Sequence, residues 1–158
     1  KRFFPEEYEV GVNALKMVQK RVGMELSTDE AGFIALHLVN AEMEEEVGNI
    51  YELTKLMQEI TNIVKYYFKV SFDEDSVYFY RFSTHLKFFC YRLLHQREVV
   101  ENDDEELYAV IKKKYLNAYR CVEKISLYLN ENYDYQVSNE ERLYLTIHIA
   151  RIVQTTEQ

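Results

Sequence analysis

Apolar residues recur along most of this chain at intervals of three and four, the period that lays them on one face of an α-helix. The first run is Val10, Ala14, Leu15, Val18 and Val22. Pro5 stands before it, where a missing N–H costs nothing in a first helical turn, and Gly23 follows it. A helix over 5–22 is predicted. Ser27-Thr28-Asp29-Glu30 then has the form of a capping box, a hydroxyl at the N-cap with a carboxylate three positions on. A second helix is therefore expected from near Thr28, carrying Phe33, Ile34, Leu36, Leu38 and Val39. The acidic stretch Glu42, Glu44, Glu45 and Glu46, closed by Gly48-Asn49, reads as a solvated face and connector. A third pattern runs from Ile50 through Leu53, Leu56, Met57, Ile60 and Val64 to about Tyr67, and Asp73 to Ser76 supplies the N-cap of a fourth helix over about 75–95. Asn102 followed by Asp103, Asp104, Glu105 and Glu106 sets a cap and anionic groups on the positive end of a helix dipole, opening a fifth helix to about Asn130. Ser138 with Glu141 is a second capping box, and the last helix is predicted over 139–155.

Composition agrees with this pattern. One Pro and four Gly in 158 residues leave little to punctuate tight turns, which argues against a sandwich or barrel and for an all-α fold of one or two domains. Lys and Arg number 19 against 27 Asp and Glu, a formal charge of −8 that repels a phosphate backbone, so this chain is not expected to grip RNA or DNA itself. Cys90 and Cys121 sit in apolar helical patterns without CxxC spacing, which excludes a disulfide scaffold and a zinc ribbon and predicts a reducing, cytoplasmic compartment. No apolar run reaches the roughly 18 residues of a membrane span, and Lys1 to Tyr8 lacks the apolar core of a signal peptide. With no initiator Met, the chain is expected to be a fragment.

The two capping boxes disclose an internal repeat. Ser27-Thr-Asp-Glu30-Ala-Gly-Phe-Ile-Ala-Leu-His37-Leu-Val aligns with Ser138-Asn-Glu-Glu141-Arg-Leu-Tyr-Leu-Thr-Ile-His148-Ile-Ala, with serine, glutamate and histidine at the same spacing in each copy. The offset that carries His37 onto His148 also carries Tyr8 onto Tyr119, Met24 onto Tyr135 and Leu26 onto Val137. A duplicated helical module, as long as that offset, explains the pattern.

Three of the four histidines, His37, His85 and His148, lie inside apolar helical segments, where a polar ring must find partners. Taken singly, each reads as a satisfied or half-buried core histidine. Duplication lowers the weight of that reading. His148 has Tyr144 at −4 and Arg151 at +3, His37 has Phe33 and Asn40 there, and His85 has Arg81 one turn before it and Arg92 two turns after it. A metal site would need ligands at tight spacing, such as one helical turn, and even the nearest pair of histidines, His85 and His95, is more widely separated than that. Hydrolysis would need a nucleophile beside a base, and no Gly-x-Ser-x-Gly elbow or reactive cysteine context occurs. Reversible phosphorylation of histidine suits the pattern better: neutral imidazole is a nucleophile near neutral pH, arginines hold the added dianion, and the new charge resets helix packing.

The segments Asp29-Glu-Ala-Gly-Phe-Ile-Ala-Leu-His37-Leu-Val-Asn-Ala, Tyr80-Arg-Phe-x-x-His85-Leu-Lys-Phe-Phe and Asn139-Glu-Glu-Arg-Leu-Tyr-Leu-Thr-Ile-His148-Ile-x-Arg151 resemble the PTS regulation domains. They are most similar to those of the BglG/LicT/SacY family, bacterial transcriptional antiterminators of β-glucoside and sucrose operons. The resemblance implies tandem helical-bundle modules with two phosphorylatable histidines each. His37 matches the second histidine of the first module, and His85 and His148 match the pair of the second. The spacing of that pair, counted back from His37, places the first module's other histidine before Lys1. By this reading residues 1–46 are the C-terminal part of a first module truncated at its N-terminus, and 47–158 are a complete second one.

The resemblance further implies phosphorylation by the phosphocarrier HPr and a sugar-specific enzyme II, a homodimer, no cofactor, and RNA contact only through an N-terminal domain missing here. The chain would be a substrate of phosphotransfer, not an enzyme. Arg81, Arg92, Arg142 and Arg151 are candidates for holding phosphate or pairing across a dimer, against the plainer reading of surface salt bridges. His95 matches no motif and is expected to be exposed or to face a helix dipole. The run Tyr78, Phe79, Tyr80, Phe82, Phe88, Phe89 and Tyr91 is expected to be mostly core, its surplus also suiting a subunit interface. Two alternatives stay open: the same modules in a DNA-binding operon activator, which would continue into permease-like domains, and a plain helical interaction module without phosphorylation.

Overall fold

The structure, a computed structural model, describes residues 1–43, 47–95 and 104–156. Seven helices make it up, with no strand among the described residues: α1 (Pro5–Val22), α2 (Asp29–Met43), α3 (Val47–Phe68), α4 (Val77–Leu94), α5 (Glu105–Lys114), α6 (Leu116–Tyr133) and α7 (Asn139–Thr156). The all-α class expected from the sequence is the class observed. The chain divides into two compact units, Lys1–Lys55 and Leu56–Gln158, the division falling within α3. None of the helices described is long and apolar enough to cross a membrane.

In the first unit α1 packs on α2, and the crossing is set by Gly11. A Cβ built there would collide with the carbonyl oxygen of Ala31, so only glycine lets the two backbones approach this closely. That contact decides which face of α1 turns inward. Gly11 and Leu15 are buried while Val10, Val18 and Val22 are exposed, although apolar periodicity had grouped those three valines with Leu15. Gly23 ends α1 in the left-handed region at φ 72°, its N–H donating to the Gln19 carbonyl at 2.8 Å. The first capping box forms only in part. Ser27 Oγ accepts from the Asp29 N–H at 3.2 Å, α2 starts at Asp29, and Glu30 is exposed. Of the acidic connector, Glu42 is exposed and 44–46 lie outside the described residues.

In the second unit α7 packs against α4, α5 and α6. Leu145, Thr146, Ile149, Ala150, Ile152 and Val153 are all buried, a spread that wraps round the helix as a central position requires. The final stretch of α3 meets α6: Tyr128 and Tyr133 both donate their hydroxyls to Glu59 Oε2, and the Lys124 ammonium lies 5.3 Å from the Tyr67 ring centre. Burial pushes the Tyr128 hydroxyl pKa well up, with the Glu59 bond adding to it. Cys90 and Cys121 are free and wholly buried, and burial raises both thiols, Cys121 to about 12.

The single fifth helix expected up to Asn130 is two helices. Tyr115, at φ −120° and ψ 51°, leaves the helical region between α5 and α6, with no Gly or Pro to announce it. The two sides of the break bury themselves differently: α5 buries no residue, whereas α6 buries Ala118, Tyr119, Cys121, Val122, Ile125, Ser126 and Leu129. A 2.7 Å bond between the Tyr108 and Tyr119 hydroxyls ties the two together. The expected cap at Asn102 lies outside the described residues; Asp104 caps α5, accepting from the Leu107 N–H at 3.0 Å. Along α4 the aromatic run divides more evenly than expected. Phe79, Phe82 and Phe89 are core, Tyr78, Tyr80 and Phe88 are exposed, and Tyr91 is half-buried.

Candidate functional site

Two well-anchored helix starts bring the second unit's histidines together. Ser76 Oγ accepts from the Phe79 N–H at 3.1 Å and fixes the start of α4. On α7 the capping box is complete: the Glu141 N–H donates to Ser138 Oγ at 3.2 Å and the Ser138 N–H to Glu141 Oε2 at 3.3 Å. Glu141 is 2% exposed, and its other oxygen accepts from the Tyr135 hydroxyl at 2.6 Å. The glutamate of the repeat thus serves the helix start and leaves the histidine free of it. Tyr144, His148 and Arg151 follow on one face of α7, at intervals of four and three. On α4 the buried face is Phe79, Phe82, Leu86, Phe89 and Leu93, so His85 and Arg92 lie on its flank, half-buried.

His85 and His148 stack, their ring centres 3.8 Å apart and their planes 23° from parallel. His85 Nδ1 and the Tyr144 hydroxyl share a hydrogen bond of 2.6 Å, and the Tyr144 ring meets both imidazoles edge-on, at 5.5 Å and 4.5 Å. Behind Tyr144 stands Arg92, its guanidinium carbon 5.8 Å from the ring centre and its Nε buried without a hydrogen-bond partner among the described residues. Burial lowers the pKa of His148 to about 4, with the neighbouring His85 and the Arg151 guanidinium adding to the shift. His85 is lowered in the same way, first by burial and then by Arg151. Burial raises the Tyr144 hydroxyl, against the pull of Arg92. Both imidazoles are therefore neutral at neutral pH and keep a ring lone pair for nucleophilic attack.

The remaining candidates are placed differently. His37 is exposed on α2 in the first unit. Arg142 donates from Nε to the Val137 carbonyl at 3.3 Å, a local tie at the start of α7, and Arg81 is exposed on α4. His95 caps α4, its Nδ1 bonded to the Tyr91 carbonyl at 2.8 Å and its ring stacked on Tyr91 at 4.1 Å. Among the described residues no cluster of His, Cys, Asp and Glu is arranged to hold a metal ion. Sequence reasoning missed Tyr144 as a partner of His85. Its signal was present, a tyrosine one turn before His148, but the ring it binds belongs to a different helix, distant in sequence.

The PRD domain pattern matches residues 1–41 and 58–152, most of the chain. This chain belongs to the PRD family. As a PRD protein it is 50% identical over 153 residues to the transcription antiterminator LicT of Bacillus subtilis, covering 97% of this chain and 55% of that protein. It is 45% identical over 152 residues to the β-glucoside operon antiterminator of Dickeya chrysanthemi, covering 96% of this chain and 53% of the relative. Similarity extends at 26% identity to the PtsGHI operon antiterminator of Bacillus subtilis, over 94% of this PRD chain and 52% of the relative. The chain thus spans about half the length of these relatives.

Proposed function

We propose that this chain is the phosphorylation-controlled regulatory region of a cytoplasmic transcriptional antiterminator, with His37, His85 and His148 as phosphoacceptors. The stacked, neutral His85–His148 pair between α4 and α7 carries the reading. Phosphocarrier HPr and a sugar-specific enzyme II are the donors, and the chain is their substrate, with no catalysis of its own. Arg92, whose buried Nε has no hydrogen-bond partner among the described residues, Arg151, whose charge reaches both rings, and Arg81 and Arg142 are the candidates for holding the new dianion or pairing across a homodimer. A dianion added beside the 3.8 Å stack changes the charge between the two helices, and through that charge phosphorylation shifts the packing of α4 on α7 and thereby dimerisation. RNA contact belongs to a part of the protein outside these 158 residues, consistent with the charge of −8. The gap between the two matched stretches, 42–57, contains the proposed boundary between a partial first module, 1–46, and a second module, 47–158.

The test is incubation with phosphoenolpyruvate, enzyme I and HPr, with and without a sugar-specific enzyme II. Acid-labile, alkali-stable phosphate is expected on peptides containing His37, His85 or His148. If none carries label, the switch is lost and a plain helical interaction module is what stands.

A further inference from the structure

His85 offers two ring nitrogens, and the structure treats them differently. Nδ1 is engaged by the Tyr144 hydroxyl at 2.6 Å. Nε2 has no hydrogen bond within the described residues and, unlike Arg92 Nε, is not sealed from solvent. From this asymmetry the geometry points to Nε2 as the atom of His85 that takes the phosphoryl group, with Tyr144 as the positioning residue that selects it. The assignment rests on the phosphoacceptor reading of His85 and adds its regiochemistry.

Attack through Nε2 requires its lone pair, and hence the tautomer in which Nδ1–H donates to the Tyr144 oxygen. In the transfer the Nε2–P bond forms as the donor's bond to phosphorus breaks, and the donor takes back that electron pair. The imidazole becomes cationic with its proton held on Nδ1 against the Tyr144 oxygen; loss of that proton to solvent neutralises the phosphorylated ring, and the Tyr144 hydroxyl then turns to donate to Nδ1. Tyr144 thus fixes the ring's orientation and the position of its proton without touching the phosphorus. His148 has no hydrogen bond to either ring nitrogen among the described residues, so no comparable selection acts on it. The repeat supplies a contrast: in its first copy the position of Tyr144 is occupied by Phe33, which has no hydroxyl.

Two measurements on the full-length protein test this. Long-range proton–nitrogen correlation spectra of the unphosphorylated protein are expected to show His85 in the Nδ1–H tautomer, and Tyr144→Phe to release it to a mixture. After labelling with phosphoenolpyruvate, enzyme I and HPr, alkaline digestion of His85 peptides is expected to give the Nε2-phosphohistidine isomer in excess by on the order of tenfold, the bias one neutral hydrogen bond can set. Tyr144→Phe is expected to erase most of that excess. Nδ1-phosphohistidine at His85, or an isomer ratio unmoved by Tyr144→Phe, overturns the assignment while leaving the phosphoacceptor reading intact. Absence of any label on His85 overturns both.

Discussion

His85 and His148 come from separate helices distant in sequence and lie in face-to-face contact in the structure, with ring centres 3.8 Å apart. Each ring is therefore part of the other's environment, and charge placed on one is felt directly by its partner.

Protonation is the simplest such charge. His148 titrates at about 4 in the folded protein against an ordinary 6.5, so between those values the unfolded chain binds more protons. Its contribution to stability is complete above pH 6.5 and is lost as the pH falls toward about 4. The groups shown to face or act on it among the described residues, His85, Tyr144 and Arg151, include no carboxylate that would offset the cost. Urea unfolding midpoints are expected to fall from pH 7 to pH 5, and less steeply in His148→Gln. An equal slope in the two proteins would contradict the depressed pKa.

On the proposed reading, in which charge at the pair controls a homodimer, fixed charge there is expected to reach the assembly. His85→Asp with His148→Asp imitates part of the phosphoryl charge beside Arg92 and Arg151. A change of at least about fivefold in the dimer dissociation constant, the lower end of usual coupling between sites, is expected by sedimentation. An unchanged constant would separate these histidines from dimerisation.

The two helix starts built from the repeated box differ in strength. Ser138→Ala removes one side of a reciprocal pair and is expected to cost about 1 kcal/mol in chemical denaturation. Ser27→Ala removes a single bond at an exposed helix start and is expected to cost less. Glu141→Ala leaves the Tyr135 hydroxyl and the Ser138 N–H without their acceptor and is expected to cost about 1–3 kcal/mol.

Glycines on the two facing helices give opposite outcomes. Gly11→Ala forces a methyl group into the Ala31 carbonyl and is expected to destabilise the first unit by about 1–3 kcal/mol. Gly32→Ala meets open space within α2 and is expected to stabilise it by up to about 1 kcal/mol. Thermal unfolding of the two variants reads the contrast.

The fold was legible wherever the signal was local. Pro5, Gly23, Ser76 and Ser138 mark helix ends that the structure reproduces closely, because caps act through near neighbours in the chain. The break at Tyr115 was not legible, since it arises from two faces burying themselves differently and no turn residue marks it. The inward face of α1 was misread for a related reason: a close approach at one glycine outweighed the apolar stripe beside it. At the site, the repeat and the arginine flanks singled out His85 and His148, but the stack between them and the grip of Tyr144 are tertiary facts. No spacing rule connects residues so far apart along the chain, because their meeting depends on how α4 and α7 pack.

Cys90 and Cys121 are both sealed in the core of the second unit with their thiols held protonated. Alkylating reagents reach them only when the helices part, so their rate of modification times the breathing of the module. The protein thereby carries two natural stopwatches, and any event at the histidine stack that loosens α4 from α7 is recorded as a faster loss of the Cys90 thiol.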